Sequence, residues 1–187
     1  MLIVMFNLIF LTNAHATKDD LTQQITIKSK SQSADLKNKI ASYLDNVNIQ
    51  QGSISISADL VQVFSKENIN TGKKEDTYFA QGKPAVFEQQ LEDGSFIKLQ
   101  ANEITYKPDS FTINVSGNAS VKQSGSEVSG NEITYNILNE KLEAQSGENQ
   151  TVTTILQPSA LKKQKEAYQE SKKDTSQSKD TGELGDN

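Results

Sequence analysis

The 187-residue chain contains no cysteine, no tryptophan and no arginine, and one histidine, His15. Each absence excludes something. Without cysteine there is no disulfide, so stability has to come from burial and backbone pairing. Zinc sites built on His or Cys, and Ser/His/Asp or Cys/His nucleophiles, need residues the chain beyond His15 does not have. All 19 cationic side chains are lysines and the net charge is −5, which argues against a nucleic-acid reader relying on Arg and a basic surface. Gly117, Gly125 and Gly130 punctuate strands and turns and none opens a helix, so no phosphate loop is present. Asp59, Glu103 and Glu132 leave carboxylate-only hydrolysis formally open. They stand at equivalent positions of a repeat, however, and stacking keeps such positions apart. We expect no enzyme, no cofactor and no metal.

What is there begins with an address. An apolar stretch from Leu2 to Leu11 ends in Ala14-His15-Ala16, a small-x-small pattern that suits signal peptidase. It is too short to span a bilayer. Residues 1–16 are therefore expected to be a cleaved export signal, with the mature chain starting at Thr17. From Pro158 on, lysine, glutamate, serine and glycine dominate, so 159–187 is expected to be a disordered polar tail. Between them, 17–158 is of a size for one domain.

That domain repeats itself. Ala101-Asn102-Glu103-Ile104-Thr105-Tyr106 returns as Gly130-Asn131-Glu132-Ile133-Thr134-Tyr135, with a looser copy at Ala58-Asp59-Leu60-Val61-Gln62-Val63. Strands with apolar residues at every second position lead into them, clearest in Ile54-Ser55-Ile56-Ser57-Ala58. The parity then slips by one across each [Ala/Gly]-[Asp/Asn] step: Ile97, Leu99 and Ala101 are odd, Ile104 and Tyr106 even. An uncorrected slip would turn the strand inside out, so a bulge or corner is expected there, passing the strand from one sheet to a facing one. Ile25-Thr26-Ile27-Lys28-Ser29-Lys30 is a degenerate first copy, with Lys30 where an acidic or amide residue is expected. Segments beginning at Asn46, Gly82 and Gly117 read as turns opening strands, and Ser65 to Tyr78 as a polar hairpin loop. The fold class is thus all-β, built from repeated antiparallel strands. Phe87, Tyr106, Ile104 and Ile133 fit either a filled core or the lining of a groove for an apolar ligand. Periodicity leaves both open, including a structural or adhesive repeat protein with no lipid ligand.

Several stretches in order, Ile25-Thr26-Ile27, Asp45 through Asp59, Gly82 through Phe87, Gly130 through Tyr135 and Val152 through Pro158, resemble the LptA family, periplasmic lipopolysaccharide transport proteins of the OstA-like domain superfamily. They span essentially the whole chain between signal and tail. The resemblance implies a twisted, open β-jellyroll in the periplasm that shields lipid A acyl chains between inner and outer membrane. It implies head-to-tail association, with an LptC-like inner-membrane protein on one side, the LptD/LptE outer-membrane translocon on the other, and possible self-association. By the same resemblance Ile25 and Ile27 line the N-terminal mouth of a lipid groove and Phe87 and Tyr106 its interior. Ile54 and Ile56 join them by their parity.

Overall fold

The computed structural model describes residues 19–158; the expected export signal and polar tail lie outside the described residues. Ten strands form one sheet: β1 (Thr26–Lys28), β2 (Ser31–Asp35), β3 (Ile40–Gln51), β4 (Ile54–Glu67), β5 (Lys74–Gln90), β6 (Phe96–Lys107), β7 (Thr112–Gln123), β8 (Ser126–Asn136), β9 (Lys141–Gln145) and β10 (Thr153–Ile155). All pairings are antiparallel, in the order β1-β3-β4-β5-β6-β7-β8-β10, with β2 also on β3 and β9 also on β8.

Every long strand breaks register once, and the breaks line up. They fall between Leu44 and Val47 in β3, Ser57 and Leu60 in β4, Gln81 and Ala85 in β5, Gln100 and Glu103 in β6, and Ser116 and Ala119 in β7. Together they make a seam that divides the sheet into two layers. Layer A holds β1, the second halves of β3, β5 and β7, the first halves of β4, β6 and β8, and β10. Layer B holds β2, the complementary halves, and β9. The breaks in β4 and β6 contain Ala58-Asp59 and Ala101-Asn102, and in β8 Asn131 is skipped between Gly130 and Glu132. These are the steps where the parity slips. Because of the slip, Ile97, Leu99 and Ala101 before it and Ile104 and Tyr106 after it are all buried. One extra residue at the corner keeps the apolar face inward in both layers.

Two sequence readings need correction. Asn46, Gly82 and Gly117 do not open strands; they lie within β3, β5 and β7, at the seam. Asp45 (φ 63°), Asn46 (φ 51°), Gly117 (φ 76°) and Asn118 (φ 54°) take left-handed backbone there, and a Cβ on Gly82 would meet the Ala85 nitrogen at 2.7 Å. Such residues signal a sharp bend, and sequence alone does not say whether pairing resumes beyond it. Likewise Ser65 to Tyr78 is mostly strand. Pairing runs out to Glu67 opposite Lys74, leaving only residues 68–73 as the hairpin turn, because polar residues can pair where both faces of a ribbon meet water.

The first corner falls at Ser29-Lys30, between β1 in layer A and β2 in layer B, so the degenerate first copy crosses the seam like the others. At the other end β9 and β10 are the halves of a last crossing strand, split by residues 146–152. Outside layer A, Lys98 pairs with Glu88 at 2.8 Å and Lys122 with Glu127 at 3.6 Å. These exposed pairs contribute little energy but mark the solvent face. The apolar residues of both layers face one another in a single core.

Candidate functional site

Pairing register turns single inward residues into rows that run across the strands. In layer A, Ile27 stands opposite Ile49, Ile49 opposite Ile56, Ile56 opposite Phe87, Phe87 opposite Leu99, Leu99 opposite Val121 and Val121 opposite Val128. The row reaches from the first strand to the last long one without a polar member. Layer B carries a matching row, Val61, Ala80, Ile104, Val115, Ile133 and Ala144. The core between the layers is thus an apolar band directed from edge to edge of the sheet. Where the interior of a closed barrel would be bounded, this band stops only where the strands stop, since β1 and β2 at one edge and β9 and β10 at the other do not pair with each other.

The six residues singled out by sequence fall in three places. Ile27, Ile56 and Phe87 share the layer A row. Ile25 and Ile54 lie one inward step away, toward the hairpins, and Tyr106 belongs to layer B. Ile54, Ile56, Phe87 and Tyr106 are fully buried; Ile25 and Ile27 are half-buried at the N-terminal edge. The side chains fill the space between the layers.

Sequence reasoning missed the polar residues of this interior. Gln51 and Gln89 sit at the hairpin ends of β3 and β5, in phase with Val47 and Ile49, and with Ala85 and Phe87, and both are buried. Tyr106 donates its hydroxyl hydrogen to Gln51 Oε1 at 2.5 Å, and Tyr135 to Gln89 Oε1 at 3.3 Å. Each bond joins layer B to layer A. The Phe87 and Tyr135 rings meet across the layers with centroids 6.3 Å apart, and Tyr78 and Tyr106 stack at 5.8 Å within layer B. Two signals could have found these residues: Tyr135 is the repeat equivalent of Tyr106, and an amide in an apolar alternation is a polar group facing inward.

Burial raises all three phenols, that of Tyr78 to about 12, with Asp76 adding to it. The Tyr106 phenol is raised by burial and then by Tyr78 and Asp20, the Tyr135 phenol by burial and then by Glu140. At neutral pH they are uncharged hydrogen-bond donors. No group of His, Cys, Asp and Glu suited to a metal ion is found among the described residues, and no helix among them is long and apolar enough to cross a membrane.

At the N-terminal edge residues 19–23 lie over the hairpin between β3 and β4. Asp20 is buried and accepts hydrogen bonds from the Ser53 backbone N–H (2.7 Å) and hydroxyl (2.5 Å). The Gln51 amide donates to the carbonyls of Leu21 (3.2 Å) and Gln23 (3.1 Å). A Cβ on Gly52 would fall on the Asp20 carboxylate, so the close approach requires glycine.

The chain is similar to known proteins. A family model described as LptA/(LptD N-terminal domain) LPS transport protein matches residues 26–141. The Lipopolysaccharide export system protein LptA of Haemophilus influenzae is 38% identical over 154 residues, covering 82% of this chain and 88% of that protein. The protein of the same name from Escherichia coli K12 is 35% identical over 149 residues, 79% of this chain and 78% of its own. A crystal structure of LptH, the LptA-homologous periplasmic component of a lipopolysaccharide transport device from Pseudomonas aeruginosa, superposes with a TM-score of 0.66. It shares 24% identity and covers 75% of this chain and 99% of that one, a likeness of fold.

Proposed function

This chain belongs to the family of LptA and LptD N-terminal domain lipopolysaccharide transport proteins, and we propose that it is a periplasmic bridge component that shelters lipid A acyl chains between its two layers. It is not an enzyme. The observation that carries the reading is the apolar row that starts on the β1 edge at Ile27 and runs across the strands to Val128 in β8, along the direction in which strands are added. Each methylene moved from water into such a band gains about 0.8 kcal/mol, so acyl chains favour it strongly.

The edges fit the same purpose. Counting β1 with β2 and β9 with β10 as one crossing strand each, the meander has eight strands, an even number. Its first strand runs from layer A to layer B and its last from B to A. A following copy in the same orientation therefore presents a strand antiparallel to the last one, and both layers continue together. The unpaired backbone groups of the edges are the template for that addition. The contact does not close on itself, so it extends into a bridge. We place an LptC-like inner-membrane protein on the β1–β2 edge and the LptD/LptE translocon on the β9–β10 edge, with self-association between them. Ile25 and Ile27 form the entry, and Ile54, Ile56, Phe87 and Tyr106 the interior. Direction must come from an energised partner, since the apolar gain is alike at every step.

Photocrosslinking tests this reading. Probes placed at Phe87 and Tyr106 should capture purified lipopolysaccharide, and a probe at the outward-facing Glu88 should not. Ile27→Asp should weaken both lipid capture and association on the β1–β2 edge while leaving the fold intact. A filled structural core would also bury Phe87 completely, and it predicts no capture from any of the three positions. That result with a folded protein would remove the lipid-binding reading.

A further inference from the structure

The two Tyr–Gln pairs are copies of one device, and they differ in one respect. In the N-terminal copy the Gln51 amide gives its hydrogens to two carbonyl oxygens of the chain, those of Leu21 and Gln23, while its own oxygen takes the Tyr106 hydroxyl. In the second copy the Gln89 oxygen takes the Tyr135 hydroxyl, but the Gln89 Nε2 has no hydrogen-bond partner, although the residue has zero exposure. Turning the amide over moves the orphan without removing it: the phenol hydrogen would then lack an acceptor. A buried donor left unmade is costly, and the first copy shows what satisfies this group, namely carbonyl oxygen.

We propose that Gln89 is a recognition residue for the ester or amide carbonyls that join acyl chains to a lipid's sugar. This rests on the lipid-binding reading above and goes beyond it in naming the atoms read. Gln89 and Tyr135 each stand one inward position from the hairpin residues Leu91 and Ile137, which are buried. Phe87 and the apolar row lie one step deeper, roughly 7 Å along the strand. The Gln89 amide is thus a polar point between apolar neighbours on either side, the setting in which a carbonyl carried on a hydrocarbon chain finds its partner. In the second copy the lipid carbonyl takes the place that the backbone of residues 21–23 fills in the first.

The test uses two probes, a glucosamine phosphate carrying a myristoyl ester and its ether counterpart, in which a methylene replaces the carbonyl. Affinities are read by displacement of a fluorescent fatty acid from the full chain. Wild type should prefer the ester over the ether by roughly fivefold or more. Gln89→Leu combined with Tyr135→Phe removes both polar partners together, so it should fold with undiminished stability and bind both probes alike. Tyr135→Phe alone keeps the amide and should keep the preference. Comparing ratios across variants cancels the difference between the probes in water. A double variant that retains the preference overturns the assignment, as does a wild type that binds both probes equally; either leaves lipid binding itself standing. Wild type that binds neither probe removes the lipid-binding reading and this inference with it.

Discussion

The two ends of the sheet are built from the same repeat and finished differently. At the N-terminal end β1 and β2 are separated by two residues, 29–30, and residues 19–23 are fastened over the interior by Asp20 and Gln51. At the C-terminal end β9 and β10 are separated by residues 146–152, all three residues of β10 are exposed, and Ile155 and Leu156 stand half in water. One end is tied down through buried polar contacts; the other is a short strand on an open edge. A symmetric pair of ends would suit a two-fold dimer. Unlike ends suit head-to-tail contact, in which each surface meets a different one.

Breaking the fastening should give the largest change. Gln51→Leu leaves the Tyr106 hydroxyl and the Leu21 and Gln23 carbonyls without their partner, and should cost roughly 2–4 kcal/mol by urea denaturation. Proteolysis should then begin within residues 19–25, making the N-terminal end behave like the other. Gly52→Ala attacks the same contact through the backbone, since φ is +57° and the new Cβ collides with Asp20. It should cost roughly 1–2 kcal/mol and release the same segment. Thr154→Pro addresses the opposite end. With all of β10 exposed, stability should fall by less than about 1 kcal/mol, while sedimentation should show association along that edge reduced. Equal losses of stability at the two ends would erase the contrast drawn above.

The smallest effect sharpens the comparison through pH. Glu140, in the hairpin between β8 and β9, has its carboxyl pKa raised above 4.5 by burial, and then by Glu92 and Asp93 across the hairpin rims. With the folded value above the unfolded one, the native state holds the extra proton in that window, and stability is lost as pH rises through the folded value. Glu140→Gln removes that loss. Its melting temperature should exceed wild type slightly at neutral pH, and the difference should vanish on acidification below 4.5. The side chain reaches solvent, so screening keeps the gain modest.

The corners were legible because side-chain facing in a strand has a fixed period of two. A change from odd to even at Ala101-Asn102 can only mean an inserted residue, whatever the packing around it. The opposite corners were not legible in the same way. Asp45-Asn46 and Gly117-Asn118 announce a bend, but whether a bend ends a strand depends on the neighbour it pairs with, which lies elsewhere in the chain. Ile56 is placed inward by parity and Phe87 by the resemblance, yet their membership of one row depends on register across strands. Gln51 and Gln89 are not legible, since a polar residue in a strand ordinarily faces water. An inward amide becomes visible only when its tyrosine partner, 55 or 46 residues away, is known.

The even strand count has a metrical consequence. Neighbouring strands lie about 4.8 Å apart, so eight of them give each copy a length of roughly 38 Å along the line of stacking. A bridge of such units lengthens only by whole copies, and the distance it spans is quantised. In the proposed bridge the chain would then be a ruler as well as a shelter: a gap between two fixed anchors would be matched to a whole number of copies or taken up by bending at the joints.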